Sequence, residues 1–140
     1  MRCGVLQATR IVVHKARREM ILLSGESILR QYRIALGPNP TEHKLQEGDG
    51  RTPEGSYVID YRNSRSKYHL SLHISYPDAN DIARAQDAGV DPGGDIMIHG
   101  LKDSTPTAGD WTQGCIAVTN QEMDEIWNLV PDGTPIVIEP

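Results

Sequence analysis

No apolar run in this chain of 140 residues is longer than four residues, whereas a membrane-spanning helix needs about 20 in succession. No apolar h-region follows Met1-Arg2-Cys3-Gly4-Val5, so a signal peptide is not expected in this chain. Charge of one sign is missing as well. The 14 basic and 19 acidic side chains are interspersed, for a formal net charge of -5, which argues against a nucleic-acid partner or a polybasic membrane anchor. Cysteine is scarce: Cys3 and Cys115 form no C-x-x-C, which sets aside a thiol redox motif. A bridge between them would require an oxidising compartment and would silence both thiols. His69 and His73 lie four apart, but on a segment with strand-like alternation, so neither a metal nor another cofactor is expected. Repeats, low-complexity tracts and linkers are absent. The chain is therefore read as an N-terminal stub, 1–9, and one domain, 10–140, a size that buries roughly two-thirds of its unfolded surface.

What is present is a succession of short strands. Residues 10–14, 19–23 and 27–36 read as an antiparallel meander, broken by Gly37-Pro38-Asn39-Pro40. Residues 57–61, 69–74, 95–99 and 134–139 supply further strands, with a polar loop over 102–110. Two helices are expected. One covers 78–88, capped by Asp78 and ended by Gly89; the other follows the capping box of Thr119 and Glu122, with Met123, Ile126, Trp127 and Val130 on one face. Many short strands and only two helices predict a mainly β fold, a sandwich or open barrel.

Within that pattern, Cys115 sits in Thr112-Gln113-Gly114-Cys115, and Ile98-His99-Gly100 lies sixteen residues before it. A thiol becomes a nucleophile when an imidazole takes its proton or stabilises its thiolate, so Cys115 and His99 are candidate nucleophile and base. Gly114 would let a substrate carbonyl approach the backbone. A turn of this kind also offers the Gly114 and Cys115 N–H groups to a developing oxyanion. Thr112 is expected to brace the turn with its hydroxyl, and Trp111 to offer a platform for substrate.

These residues resemble the His-Gly and Ser/Thr-x-Gly-Cys signature of the L,D-transpeptidase catalytic domain, also called the YkuD domain. Gly50-Arg51-Thr52-Pro53-Glu54-Gly55 is similar to its Thr-Pro-x-Gly segment entering a strand. The resemblance runs from about residue 10 to residue 139 and implies the L,D-transpeptidase fold. It further implies acyl transfer on peptidoglycan peptides through a thioester, in the periplasm or cell envelope, with a murein-linked lipoprotein as a further possible partner. It assigns the Gly100 carbonyl to orienting His99, and it suggests a cleft histidine, for which His73 is the candidate. Many members carry arginine two residues after the cysteine. Here that position is Ala117, and Gln113 stands where histidine is frequent, as in the branch that includes a murein L,D-endopeptidase. The acceptor, water or amine, stays open. With Ala117 in place, Arg51, Lys44 and Lys102 become the candidate cations for the carboxylates of a stem peptide. The rival reading is a non-catalytic murein-binding domain of the same fold.

Overall fold

The computed structural model describes residues 7–102 and 109–140; Cys3 and positions 103–108 of the expected loop lie outside the described residues. Eight strands and two helices follow in the order β1 (Arg10–His14), β2 (Glu19–Ser24), β3 (Ser27–Arg33), β4 (Gly55–Ser66), β5 (His69–Ile74), α1 (Ala79–Ala88), β6 (Met97–His99), β7 (Ile116–Ala117), α2 (Asn120–Leu129) and β8 (Pro135–Glu139). They form one mainly β, eight-stranded sheet in the order β3-β2-β1-β8-β4-β5-β6-β7.

Period-two alternation explains the first half. Ile11 and Val13 of β1, Met20 and Leu22 of β2, and Ile136 and Ile138 of β8 point one way and are buried. Burying each such side chain contributes roughly 1.5–3 kcal/mol. The last strand lies between β1, to which it is parallel, and β4, to which it is antiparallel. β4 runs for 12 residues, longer than the sequence pattern indicated, and shifts register between Ile59 and Tyr61. Its first part pairs with β8 and its second with β5, so it carries the sheet from one half to the other.

The two edge strands meet. Beyond β3, Ala35 exchanges both backbone hydrogen bonds with Ala117 of β7, each 3.0 Å long. That bridge draws the sheet closed on itself, which is the open-barrel geometry, and it brings residues 33–37 against the segment that follows the Cys115 turn. Both helix starts match their sequence signals. Asp78 and Asp81 form a capping box on α1, as Thr119 and Glu122 do on α2. Met123 and Ile126 of α2 are fully buried, while Trp127 packs at the core margin beneath the Arg62 guanidinium, 4.6 Å from its ring.

Candidate active site

Cys115 and His99 line one cavity of about 650 Å³, together with Tyr68, Trp111, Thr112 and the Gly93–Ile96 segment. β6 delivers His99 at its C-terminal end, and β7, parallel to β6, starts immediately after Cys115. Pairing of two short parallel strands is thus what brings residues sixteen apart into one wall.

His99 is buried, and its Nδ1 lies 2.7 Å from the Gly100 carbonyl oxygen. A carbonyl only accepts, so Nδ1 carries the proton and the neutral ring presents its Nε2 lone pair. The ring stacks on Tyr68 at 4.5 Å between centroids and meets Trp111 at 5.7 Å. Burial lowers the His99 pKa, with the Gly100 carbonyl opposing. Burial likewise raises the pKa of Cys115, against a hydrogen bond from the Met97 N–H. Thiol and neutral imidazole, rather than thiolate and imidazolium, are therefore the resting pair. Sγ is half-buried and donates to the Asp95 carbonyl at 3.2 Å.

The Thr112–Cys115 turn is held from three sides. Thr112 Oγ1 accepts from the Gly114 N–H at 3.1 Å and donates to the Cys115 carbonyl at 2.8 Å, closing the turn over itself. The Gly114 N–H is thereby engaged, which leaves the Cys115 N–H as the donor to consider for an oxyanion. Thr52, fully buried, donates from Oγ1 to the Gly114 carbonyl at 2.7 Å. Gly114 has φ of 125°, and a Cβ there would lie 2.6 Å from the Arg51 carbonyl oxygen. The glycine is thus required by a close protein carbonyl, before any substrate arrives.

Two cations of the turn between β1 and β2 support these loops. Lys15, 1 % exposed, donates from Nζ to the carbonyls of Glu42 and Thr52 at 2.8 and 2.7 Å and pairs with Glu54 at 3.1 Å. Burial lowers its pKa, with Glu54 opposing. Arg18 grips Asp110 through Nε and Nη2, and Asp110 also accepts from the Leu36 N–H. Thr52 belongs to the Thr-Pro-x-Gly segment, so a signal for it existed. Lys15, Asp95 and Tyr68 had none that sequence reading could use.

The remaining candidates separate. Trp111 and Thr112 line the cavity, as does Lys44, whose Nζ is engaged by Asp49 at 2.9 Å. Arg51 turns its guanidinium to Glu42 at 3.1 Å and is not among the lining residues. Lys102 is exposed and also outside the lining. His73 pairs with Asp60 at 2.6 Å and stacks on Tyr61 at 4.3 Å, away from this cavity. Tyr57 donates its hydroxyl to Asp81, and Tyr76 donates to the carbonyl of Pro92, the residue before the glycines of the cavity wall.

With this arrangement in view, residues 8–138 match the sequence profile of the L,D-transpeptidase catalytic domain, YkuD. The chain belongs to this family. Among L,D-transpeptidase relatives, YafK of Escherichia coli strain K12 is 33% identical over 102 residues, covering 71% of this chain and 34% of YafK. The helical cell shape determining protein Pgp2 of Campylobacter jejuni superposes with a TM-score of 0.73 at 21% identity, over 94% of this chain and 47% of that one. Bd1075 of Bdellovibrio bacteriovorus gives 0.66 at 26% identity, over 95% and 48%. L,D-transpeptidase 1 of Mycobacterium tuberculosis gives 0.61 at 14%, over 95% and 62%, a likeness of fold alone. The chain thus spans about a third of YafK and about half of Pgp2 and Bd1075.

Proposed function

We propose that this L,D-transpeptidase domain performs cysteine-dependent acyl transfer on peptidoglycan stem peptides in the cell envelope. The observation that carries the reading is a nucleophile candidate and a base of fixed tautomer, Cys115 and His99, lining one cavity of peptide-accommodating size. As a peptide enters, Sγ leaves the Asp95 carbonyl and passes its proton to Nε2 of His99. The sulfur attacks the carbonyl of the L-centre of a diaminopimelate residue, and the oxyanion takes the Cys115 N–H as donor. Collapse breaks the C–N bond; the amine leaves with the proton held by His99, and a thioester remains. Water or a second amine then repeats the sequence in reverse. Cutting is the favoured outcome, because Ala117 leaves no arginine on the nucleophile strand to hold an acceptor.

A murein-binding domain without catalysis is the second reading, favoured by the raised pKa of Cys115 and the hydrogen bond that occupies its thiol. Intact-mass measurement with a carbapenem separates the two. An adduct on wild type that vanishes in Cys115→Ala supports acyl transfer. No adduct on wild type, together with unchanged cellular function of Cys115→Ser, establishes binding only. Incubation with murein dimers and lipoprotein-linked muropeptides then decides the acceptor: new 3-3 linked dimers mean crosslinking, and released partners without new dimers mean cutting.

A further inference from the structure

The sheet carries an aromatic pair that the proposed mechanism does not use. Alternation on β4, β5 and β6 sends Ile59, Leu72, Ile74 and Ile98 into the core and turns Tyr61, His73 and Met97 to the opposite face. These three stand in one row across the strands, because Tyr61 pairs with His73 and His73 with Met97. The β6–β7 register sets Ile98 opposite Ile116, and one residue earlier it sets Met97 beside Cys115. The hydrogen bond from the Met97 N–H to the Cys115 thiol agrees with that register. Tyr61 is therefore three strand spacings from Cys115, roughly 14 Å across the face.

Tyr61 has the form of a stacking platform. Its ring lies on the His73 imidazole, 4.3 Å between centroids and 10° from parallel. Asp60 fixes that imidazole at 2.6 Å, and it does so as the extra residue of the β4 bulge between Ile59 and Tyr61. The ring is thus braced from one side, yet Tyr61 remains 47 % exposed. The charges around it are acidic. Partial burial raises the Tyr61 pKa, and Asp60 and Asp95 add to the effect, so both carboxylates stand near the phenol. Asp95 also lines the Cys115 cavity, which gives platform and cavity a common rim.

We infer that Tyr61 stacks on a sugar ring of the murein strand whose stem peptide is held at Cys115. The inference rests on the acyl-transfer reading and narrows its substrate to stem peptide still attached to glycan. A pyranose offers a face of C–H groups to an aromatic ring, and its hydroxyls donate to carboxylates such as Asp60 and Asp95. A neutral sugar also suits this acidic surface, whereas the free carboxylates of a stem peptide are repelled by it. Reach agrees as well. The attacked diaminopimelate is the third residue from the muramyl sugar, and three extended residues span about 10 Å. The lactyl link and the sugar itself cover the rest of the roughly 14 Å, so the disaccharide that carries the stem is what arrives at Tyr61.

The test uses Cys115→Ala protein, so that binding is read without turnover. Affinities are measured calorimetrically for a disaccharide tetrapeptide containing diaminopimelate and for the same tetrapeptide without sugar. The glycosylated ligand is expected to bind roughly 5-fold more tightly, the order of one aromatic stacking contact. Adding Tyr61→Ala should erase that difference and leave the affinity for the sugar-free peptide unchanged, whereas Tyr61→Trp should keep the difference. Both changes fall on an exposed side chain, and unchanged melting temperatures verify that the fold is intact. A difference that persists in Tyr61→Ala, equal affinities with Tyr61 present, or no binding of either ligand would overturn the inference. Failure of the acyl-transfer reading registers separately, as a missing carbapenem adduct on the wild type.

Discussion

The hydroxyl of Thr52 donates to the carbonyl of Gly114 at 2.7 Å, joining the Cys115 turn to a loop 62 residues earlier in the chain. Neither group meets solvent, since Thr52 is fully buried and Gly114 is buried beside it. Thr52→Val keeps the shape and removes the donor, leaving the Gly114 carbonyl unsatisfied. It should cost about 1–3 kcal/mol in urea unfolding, with Thr52→Ser recovering most of it. Carbapenem acylation of Cys115 should slow in Thr52→Val more than in Thr52→Ser; equal rates would deny the bond any part in shaping the turn.

Gly114→Ala is expected to be far worse. The new methyl would meet the Arg51 carbonyl at 2.6 Å, and the backbone would remain at φ of 125°. Strain of this kind costs of order 1–3 kcal/mol before the clash is added, so the melting temperature should fall by more than for Thr52→Val. A variant with wild-type melting would require the turn to adopt another backbone path.

Lys15→Met removes the cation that organises the Glu42 and Thr52 carbonyls. Because Lys15 is 1 % exposed, its loss strands the buried Thr52 carbonyl and the Glu54 carboxylate and frees the part-buried Glu42 carbonyl. Destabilisation of about 3 kcal/mol or more is expected in denaturant titration. Lys15→Arg should not rescue it, because a planar fork does not fit a site built round one ammonium.

The neutral resting pair has a pH signature. Burial raises the Cys115 pKa above its ordinary value, so alkylation of the free protein by iodoacetamide should climb only above about pH 8.5. Carbapenem acylation should already proceed at neutral pH, where His99 takes the proton during attack. Coincident profiles would mean a thiolate formed in advance. Stability follows with the opposite sign for each partner. The lowered His99 pKa contributes stability above the unfolded value of about 6.5, lost as pH falls through the folded value. The raised Cys115 pKa contributes stability below the unfolded value, lost as pH rises through the folded one. Urea midpoints of wild type and His99→Asn should therefore draw together between pH 7 and pH 5.

Sequence reading reached the parts of this site whose signals are local. Cys115 and His99 sit in short motifs, and the boxes of Thr119 with Glu122 and of Asp78 with its helix are written within four residues. It failed where an interaction joins distant residues. β7 is two residues long and carries no periodicity, so the Ala35–Ala117 closure could not be foreseen. Arg51 drew notice as a cation, yet its backbone carbonyl is what touches Gly114. Gly114 was read as an opening for substrate, because sequence does not show which carbonyl lies against a glycine.

The place of β8 in the sheet bears on how a ribosome can deliver this fold. Pro135–Glu139 is translated after the other strands described here, yet it stands between β1 and β4 and supplies backbone partners to both. While a nascent chain still lacks those five residues, the β1–β3 meander and the β4–β7 half lack the strand that pairs with both, leaving the Ala35–Ala117 bridge without the sheet that frames it. Assembly of the site therefore waits until residues 135–139 have been made, and a ribosome stalled just short of residue 135 would hold every reactive side chain named here without the frame that aligns them.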